Sequence, residues 1–115
     1  MPELRIVHFV ARDGDDLFED WLDSIRDRNA KAAIESRIRR LAASNLGDHR
    51  YLRDGVYELR IDVGPGYRVY FSRIEDDLLI LLCGGARRTQ DDEISRAIGY
   101  LQIWKNANPR YKRKN

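Results

Sequence analysis

The chain has 115 residues, of which 43% are hydrophobic and 35% charged, and its formal net charge is +2. This length predicts a single domain, and the composition argues against a disordered chain, which has fewer apolar residues, and against a membrane protein, which has fewer charges. The single cysteine, Cys83, excludes a disulfide framework, and the two histidines, His8 and His49, lack metal-ligand spacing. We therefore expect one cytoplasmic domain, residues 1–108, without metal, cofactor or membrane segment, followed by a basic tail, residues 109–115.

The N-terminal half of the chain predicts one strand and two helices. Residues 4–10 read as a strand, and residues 15–28 place five large apolar side chains on one helical stripe. Residues 29–46 predict a second helix with a stop signal at Asn45 and Gly47. Because the two helices are nearly contiguous in sequence, we expect them to form a helical hairpin.

The C-terminal half predicts three strands and a helix. Residues 56–63 and 67–73 alternate apolar and polar side chains around a Gly-Pro-Gly turn, which is typical of a β-hairpin. Residues 78–83 are apolar on both faces and predict a central strand that ends at Gly84-Gly85. A capping-box pattern at Thr89–Asp92 opens the last helix. The predicted order is β-α-α-β-β-β-α, an α+β fold in which helices cover one face of a mainly antiparallel sheet.

Polar side chains share one face of the predicted hairpin. If the helices cover the apolar face, the exposed face carries Glu58, Arg60, Asp62, Arg68, Tyr70 and Ser72. This set fits two interpretations. It is either a solvated face whose arginines are neutralised by Glu58 and Asp62, or a surface that binds phosphate.

A second pair of arginines follows the central strand. Arg87 and Arg88 precede the N-terminus of the last helix, where backbone N–H groups favour an anion, or they simply balance the acidic residues that follow. If the last strand neighbours the hairpin, Arg87 converges with Arg60 and Arg68. Such a cluster of guanidinium groups would form a phosphate site.

Three further features each leave two interpretations open. Cys83 is either an inert buried thiol or a nucleophile. His49 lies in a predicted exposed loop, residues 47–55, as a surface side chain or as a general base that works near neutral pH. The basic tail either contacts nucleic acid or maintains solubility.

Three segments carry a resemblance to a known family. They are GVYELRIDVGPGYRVYF (residues 55–71), LILLCGG (79–85) and RRTQDDEISRAIGYL (87–101). Together they resemble the RelE/ParE superfamily of type II toxin–antitoxin toxins, and in particular the HigB-like addiction module killer protein group. The resemblance implies a RelE-like fold, with an N-terminal helical hairpin and a C-terminal helix on an antiparallel sheet.

The resemblance also implies a function and a set of site residues. RelE-like members are endoribonucleases (mRNA interferases) that inhibit translation. They cleave messenger RNA on the ribosome by metal-independent attack of the ribose 2′-OH, and a cognate antitoxin, often a helix-turn-helix DNA-binding protein, neutralises them. The implied catalytic residues are Arg60, Arg68, Arg87 and Glu58, with Glu58 as the first candidate for the general base. The implied RNA-binding residues are Arg88, Tyr70, His49 and Arg53.

The same resemblance allows a second class of function. ParE-like members poison DNA gyrase without catalysis, and in that case the arginines serve solvation or antitoxin docking. The retention of Arg60, Arg68 and Arg87 favours the nuclease.

Overall fold

The computed structural model describes residues 3–86 and 90–111, which form five strands and three helices. In chain order these are β1 (Arg5–His8), α1 (Leu17–Ser24), α2 (Arg28–Ala42), β2 (His49–Arg53), β3 (Val56–Ile61), β4 (Tyr67–Glu75), β5 (Leu78–Ala86) and α3 (Gln90–Ala107). A short 3-10 turn, Pro109–Tyr111, ends the described chain, and its Tyr111 ring packs on Trp104 with centroids 5.2 Å apart. Within these ranges no helix has both the length and the apolar character that crossing a membrane requires.

The strands form one mixed sheet in the order β1-β5-β4-β3-β2. β1 pairs with β5 in parallel, whereas the other three pairings are antiparallel. The predicted order β-α-α-β-β-β-α and the predicted antiparallel sheet, which the RelE-like expectation shared, are therefore wrong. The observed order is β-α-α-β-β-β-β-α, which remains roughly α+β.

The additional strand, β2, occupies the segment that we expected to be a loop around His49. Its residues are mostly exposed and polar, so no apolar alternation marks them as a strand. The strand forms because Asp54 and Gly55 both adopt positive φ, 51° and 86°, which fits the tight two-residue turn of a β-hairpin with β3. The Asp54-Gly55 pair, which is typical of such turns, was the sequence signal from which this hairpin could have been predicted.

The predicted helical hairpin is also wrong. The Asp27 carboxylate accepts hydrogen bonds from the backbone N–H groups of Asn29 and Ala30, and thereby caps α2 at a break in the chain after α1. After the break the two helices contact different strands, since α1 packs on β5 and α2 lies against β3.

Helices cover both faces of the sheet, not one. On β5, Leu79 and Leu81 belong to the core beneath α1 and α2, whereas Ile80 and Leu82 belong to a second core beneath α3. The apolar character of β5 on both faces, which predicted a buried strand, therefore has a direct structural cause. The expectation that helices cover only one face was wrong because α3 buries its Ala97 and Leu101 against the opposite side.

The Gly84-Gly85 pair lies inside β5 and does not end it, contrary to expectation. A Cβ atom on Gly84 would lie 2.2 Å from the Trp21 ring, and one on Gly85 would lie 2.1 Å from the Glu93 carboxyl carbon. The two glycines therefore let side chains from α1 and α3 approach opposite faces of the same strand.

We expect Gly84→Ala to lower the free energy of unfolding by about 1–3 kcal/mol, because the added methyl group overlaps the Trp21 ring within a packed core. Gly99→Ala is the matched control. Gly99 lies in α3 with open space around it, so alanine should raise stability by about 0.5–1 kcal/mol. Urea denaturation of both variants measures the two effects, and equal stabilities would contradict the close approach of Trp21.

Candidate functional site

A cleft of about 310 Å³ opens at the end of the β3–β4 hairpin. We call it the arginine cleft, and its lining residues are Asp48, Arg60, Ile61, Asp62, Gly64, Pro65, Gly66, Tyr67 and Arg68. The hairpin places the two arginines here because they lie one residue pair before the end of the β3–β4 ladder, close to the Gly-Pro-Gly turn. The cleft thus brings together two of the sequence-predicted site residues, Arg60 and Arg68.

Arg60 and Arg68 lie directly opposite each other on β3 and β4. Directly opposed like charges destabilise a sheet, so each arginine needs a counter-ion. The Asp48 Oδ1 atom accepts hydrogen bonds from Arg60 Nη2 at 2.8 Å and from Nε at 3.2 Å. Glu58 Oε2 accepts from Arg68 Nη1 at 2.8 Å. Glu58 therefore neutralises Arg68 as the salt-bridged interpretation expected, but the partner of Arg60 is Asp48 and not Asp62.

The two arginines differ in accessibility. The Arg60 side chain is 43% exposed, whereas that of Arg68 is 12% exposed. The hydrogen bond to Asp48 and the charge of Asp48 raise the pKa of the Arg60 guanidinium further above its usual value. Arg60 is thus permanently cationic, so it can bind an anion but cannot accept a proton.

Glu58 is completely buried, at 0% exposure. Its Oε1 atom accepts from Arg50 Nε at 2.7 Å, and its Oε2 atom accepts from Arg68 and, at 3.1 Å, from Gln90 Nε2. A carboxylate enclosed in this way has no path to a substrate hydroxyl group outside the protein. The geometry makes Glu58 the anchor of Arg68, and the role of general base remains only a sequence-based prediction.

The face that we expected to be open is largely closed, which corrects the placement of Glu58, Tyr70 and Ser72. The reason is that α3 lies across it. The Tyr70 hydroxyl donates to Glu93 Oε1 at 3.0 Å inside the second core. Burial, and then the hydrogen bond to Glu93, raise the pKa of Tyr70 above its usual range. Tyr70 therefore presents no surface to RNA in this structure.

The other predicted residues lie away from the arginine cleft or outside the described residues. His49 pairs with Leu59, so strand alternation places its side chain on the opposite face from Arg60, where its Nδ1 atom lies 2.8 Å from the Gly47 carbonyl oxygen. Arg53 lies at the far end of the β2–β3 hairpin and contacts Asp54 at 3.1 Å. Arg87 and Arg88 fall among residues 87–89, outside the described ranges, as does Thr89 of the predicted capping box.

The structure adds three residues to the site that sequence reasoning did not select: Asp48, Asp62 and Tyr67. The strand pattern placed Asp62 on the same face as Arg60, but its only predicted role was that of a counter-ion. No pattern marked Asp48, because the strand that follows it was not predicted. Tyr67 was given no role, although it lines the cleft where the strand meets the turn.

Neither metal nor thiol chemistry finds support in the described residues. They contain no group of three or more His, Cys, Asp or Glu side chains arranged to hold a metal ion. Burial, and then the charge of Glu93, raise the pKa of the Cys83 thiol to about 12. The thiol therefore stays protonated near neutral pH, which favours the inert interpretation.

The chain has a relative among curated proteins. A curated protein of Haemophilus influenzae (strain ATCC 51907 / DSM 11121 / KW20 / Rd), described as an uncharacterized protein, is 49% identical over 80 residues. The aligned part is 70% of this chain and 81% of that protein. No protein-family model matches the chain.

We expect Glu58→Gln to lower the free energy of unfolding by about 2–4 kcal/mol, because it leaves two guanidinium groups without their buried counter-charge. The matched control is Asp48→Asn, which removes the carboxylate of an exposed pair and should leave stability unchanged within error. Thermal and urea denaturation measure both variants. A Glu58→Gln protein as stable as the control would contradict the anchoring role of Glu58.

Proposed function

The chain belongs to the same family as the Haemophilus influenzae protein, and we propose that it is a toxin of a type II toxin–antitoxin module that cleaves messenger RNA on the translating ribosome. The proposal rests on one observation above the others, which is the pair of opposed arginines that line a cleft. The resemblance of residues 55–71 to RelE/ParE toxins supplies the class of substrate.

Opposed arginines are an unfavourable arrangement for a sheet alone. A phosphodiester makes it favourable, because a guanidinium fork donates two parallel hydrogen bonds to phosphate oxygens. Arg60 is more exposed than Arg68, so an incoming phosphate would meet one solvent-exposed guanidinium group and one that Glu58 already holds in place. The exposed Arg60–Asp48 pair costs little to break on binding, since such pairs contribute little to stability.

The proposed reaction begins with attack of the ribose 2′-oxygen on the adjacent phosphorus. The bond between the 2′-oxygen and phosphorus forms, the bond between phosphorus and the 5′-oxygen breaks, and the products are a 2′,3′-cyclic phosphate and a free 5′-hydroxyl end. Arg60 and Arg68 stabilise the charge that develops on the phosphoryl oxygens. We assign the 2′-proton to Asp62, an exposed carboxylate of the arginine cleft, while the leaving 5′-oxygen takes a proton from water.

The proposed partners follow from the same surface. A cytoplasmic ribosome would present the messenger RNA, and a cognate antitoxin would neutralise the toxin by covering the arginine cleft with an acidic segment. The complementary charge of such a segment would compete directly with phosphate for Arg60.

The first experiment is cleavage of messenger RNA in a reconstituted translation reaction. We expect the wild-type protein to cut the message and Arg60→Ala to lower the rate about ten- to a hundredfold, the loss of one charge-assisted contact to phosphate. The matched control is Arg5→Ala, which removes an exposed, ion-paired arginine at the opposite edge of the sheet and should cut at the wild-type rate. Intact message with the wild-type protein would contradict the nuclease proposal.

Asp62→Asn separates proton transfer from binding. We expect this variant to bind RNA at least as tightly as the wild type, because it removes a negative charge from the cleft, but to cleave about a hundredfold more slowly. Asp76→Asn, at an exposed position in the turn after β4, is the control for loss of an aspartate. Cleavage by Asp62→Asn at the wild-type rate would show that the base lies elsewhere.

A second candidate function is a non-catalytic DNA gyrase poison. The observation that favours it is the burial of Glu58 and Tyr70, which removes the predicted general base and one predicted RNA-binding residue from the surface. A gyrase supercoiling assay distinguishes the two functions. Inhibition of gyrase together with intact message would replace the nuclease proposal.

A further inference from the structure

Arg37 of α2 donates three hydrogen bonds to the backbone at the rim of the arginine cleft. Its Nη1 atom contacts the carbonyl oxygen of Arg60 at 2.5 Å. Its Nη2 atom contacts the carbonyl oxygens of Leu46 and Asp48, each at 3.1 Å. One guanidinium group therefore ties the loop that follows α2 to the end of β3.

Gly47 gives independent support for this arrangement. Its φ of +63° lies in the left-handed region, and a Cβ atom at this position would lie 2.9 Å from Arg37 Nη2. Glycine thus satisfies both the backbone conformation and the space that the guanidinium group requires. The loop is built around the Arg37 side chain.

Two of the three carbonyls that Arg37 holds belong to the residues whose side chains form the exposed ion pair of the cleft. Asp48 and Arg60 are joined by a hydrogen bond from Arg60 N to the Asp48 carbonyl oxygen at 2.9 Å, in addition to their side-chain contacts. Arg37 bonds to the carbonyl oxygens of both residues. A shift of Arg37 would therefore move both partners of the pair.

We propose that Arg37 is a positioning residue of the arginine cleft: it fixes the position of the Arg60 guanidinium group in the protein before phosphate binds. Only the identity of the anion rests on the proposed function. Arginine suits this task because its planar fork can bond to several carbonyls in fixed directions, whereas lysine concentrates its donors on one flexible nitrogen. Arg37 is half-buried, so lysine is the conservative replacement. Arg37→Lys keeps the positive charge and removes the planar guanidinium group.

The test compares Arg37→Lys with Arg39→Lys, an exposed arginine on the same helix. Nitrogen-15 NMR of the arginine Nε–H groups reports on Arg60 directly, because its Nε–H is held by Asp48 in the wild type. We expect Arg37→Lys to shift the Arg60 signal and to speed its exchange with water. A fluorescein-labelled single-stranded RNA oligonucleotide should bind about tenfold more weakly, the equivalent of one charge-assisted contact. Arg39→Lys should change neither measurement.

Gly47→Ala tests the same arrangement from the loop side. The added methyl group displaces the Arg37 guanidinium, so the Arg60 signal should move in the same direction as in Arg37→Lys. An unchanged Arg60 signal in both variants would overturn the inference. Loss of native signals across the whole sheet, with no effect particular to Arg60 and residues 46–48, would also overturn it, since Arg37 would then serve stability alone.

The two proposals fail in different ways. If the wild-type protein binds no RNA, the proposed function fails, but the Arg60 signal still decides whether Arg37 positions that side chain. If the wild type binds RNA and Arg37→Lys binds it equally well, the positioning role fails while the proposed function stands.

Discussion

The buried carboxylate of Glu58 is the interaction on which the polar half of this fold depends. It accepts hydrogen bonds from β2 through Arg50, from β4 through Arg68 and from α3 through Gln90. A buried charge is costly unless its partners are complete, so the three elements must stay in register for the carboxylate to remain satisfied. No buried side-chain polar atom among the described residues lacks a hydrogen-bond partner, which is consistent with this requirement.

This requirement explains how the sheet tolerates the like-charged pair beside it. Arg60 and Arg68 face each other, yet their counter-ions lie in different environments: Glu58 is enclosed by protein and Asp48 is in solvent. The Arg68 pair is held by low-dielectric surroundings, whereas water weakens the Arg60 pair. Arg60 can therefore exchange its partner for an external anion without disturbing the charge that holds the sheet together.

The sequence predicted the elements whose side-chain pattern is regular and missed the relations between elements. The alternation of β3 and β4 and the doubly apolar β5 were readable, and so was the placement of Arg60 and Arg68 on one face of neighbouring strands. β2 was missed because its exposed edge position imposes no apolar pattern, although Asp54-Gly55 marked its turn. The burial of Glu58 and Tyr70 was missed for a different reason. A polar stripe on a strand predicts solvent only when no helix crosses it, and the direction of α3 depends on contacts with distant residues.

The position of α3 also accounts for the division of roles along that polar stripe. Exposure increases from 0% at Glu58 to 12% at Arg68 and 43% at Arg60, as the stripe passes from beneath the helix to the open end of the hairpin. The glycine at position 85 contributes to this gradient because it lets Glu93 of α3 lie close against β5, opposite Arg68. A Cβ atom at position 85 would overlap the Glu93 carboxyl group, which accepts the hydrogen bond from the Tyr70 hydroxyl. Helix α3 therefore covers Glu58 but not Arg60, so the fold keeps an accessible arginine next to a buried carboxylate.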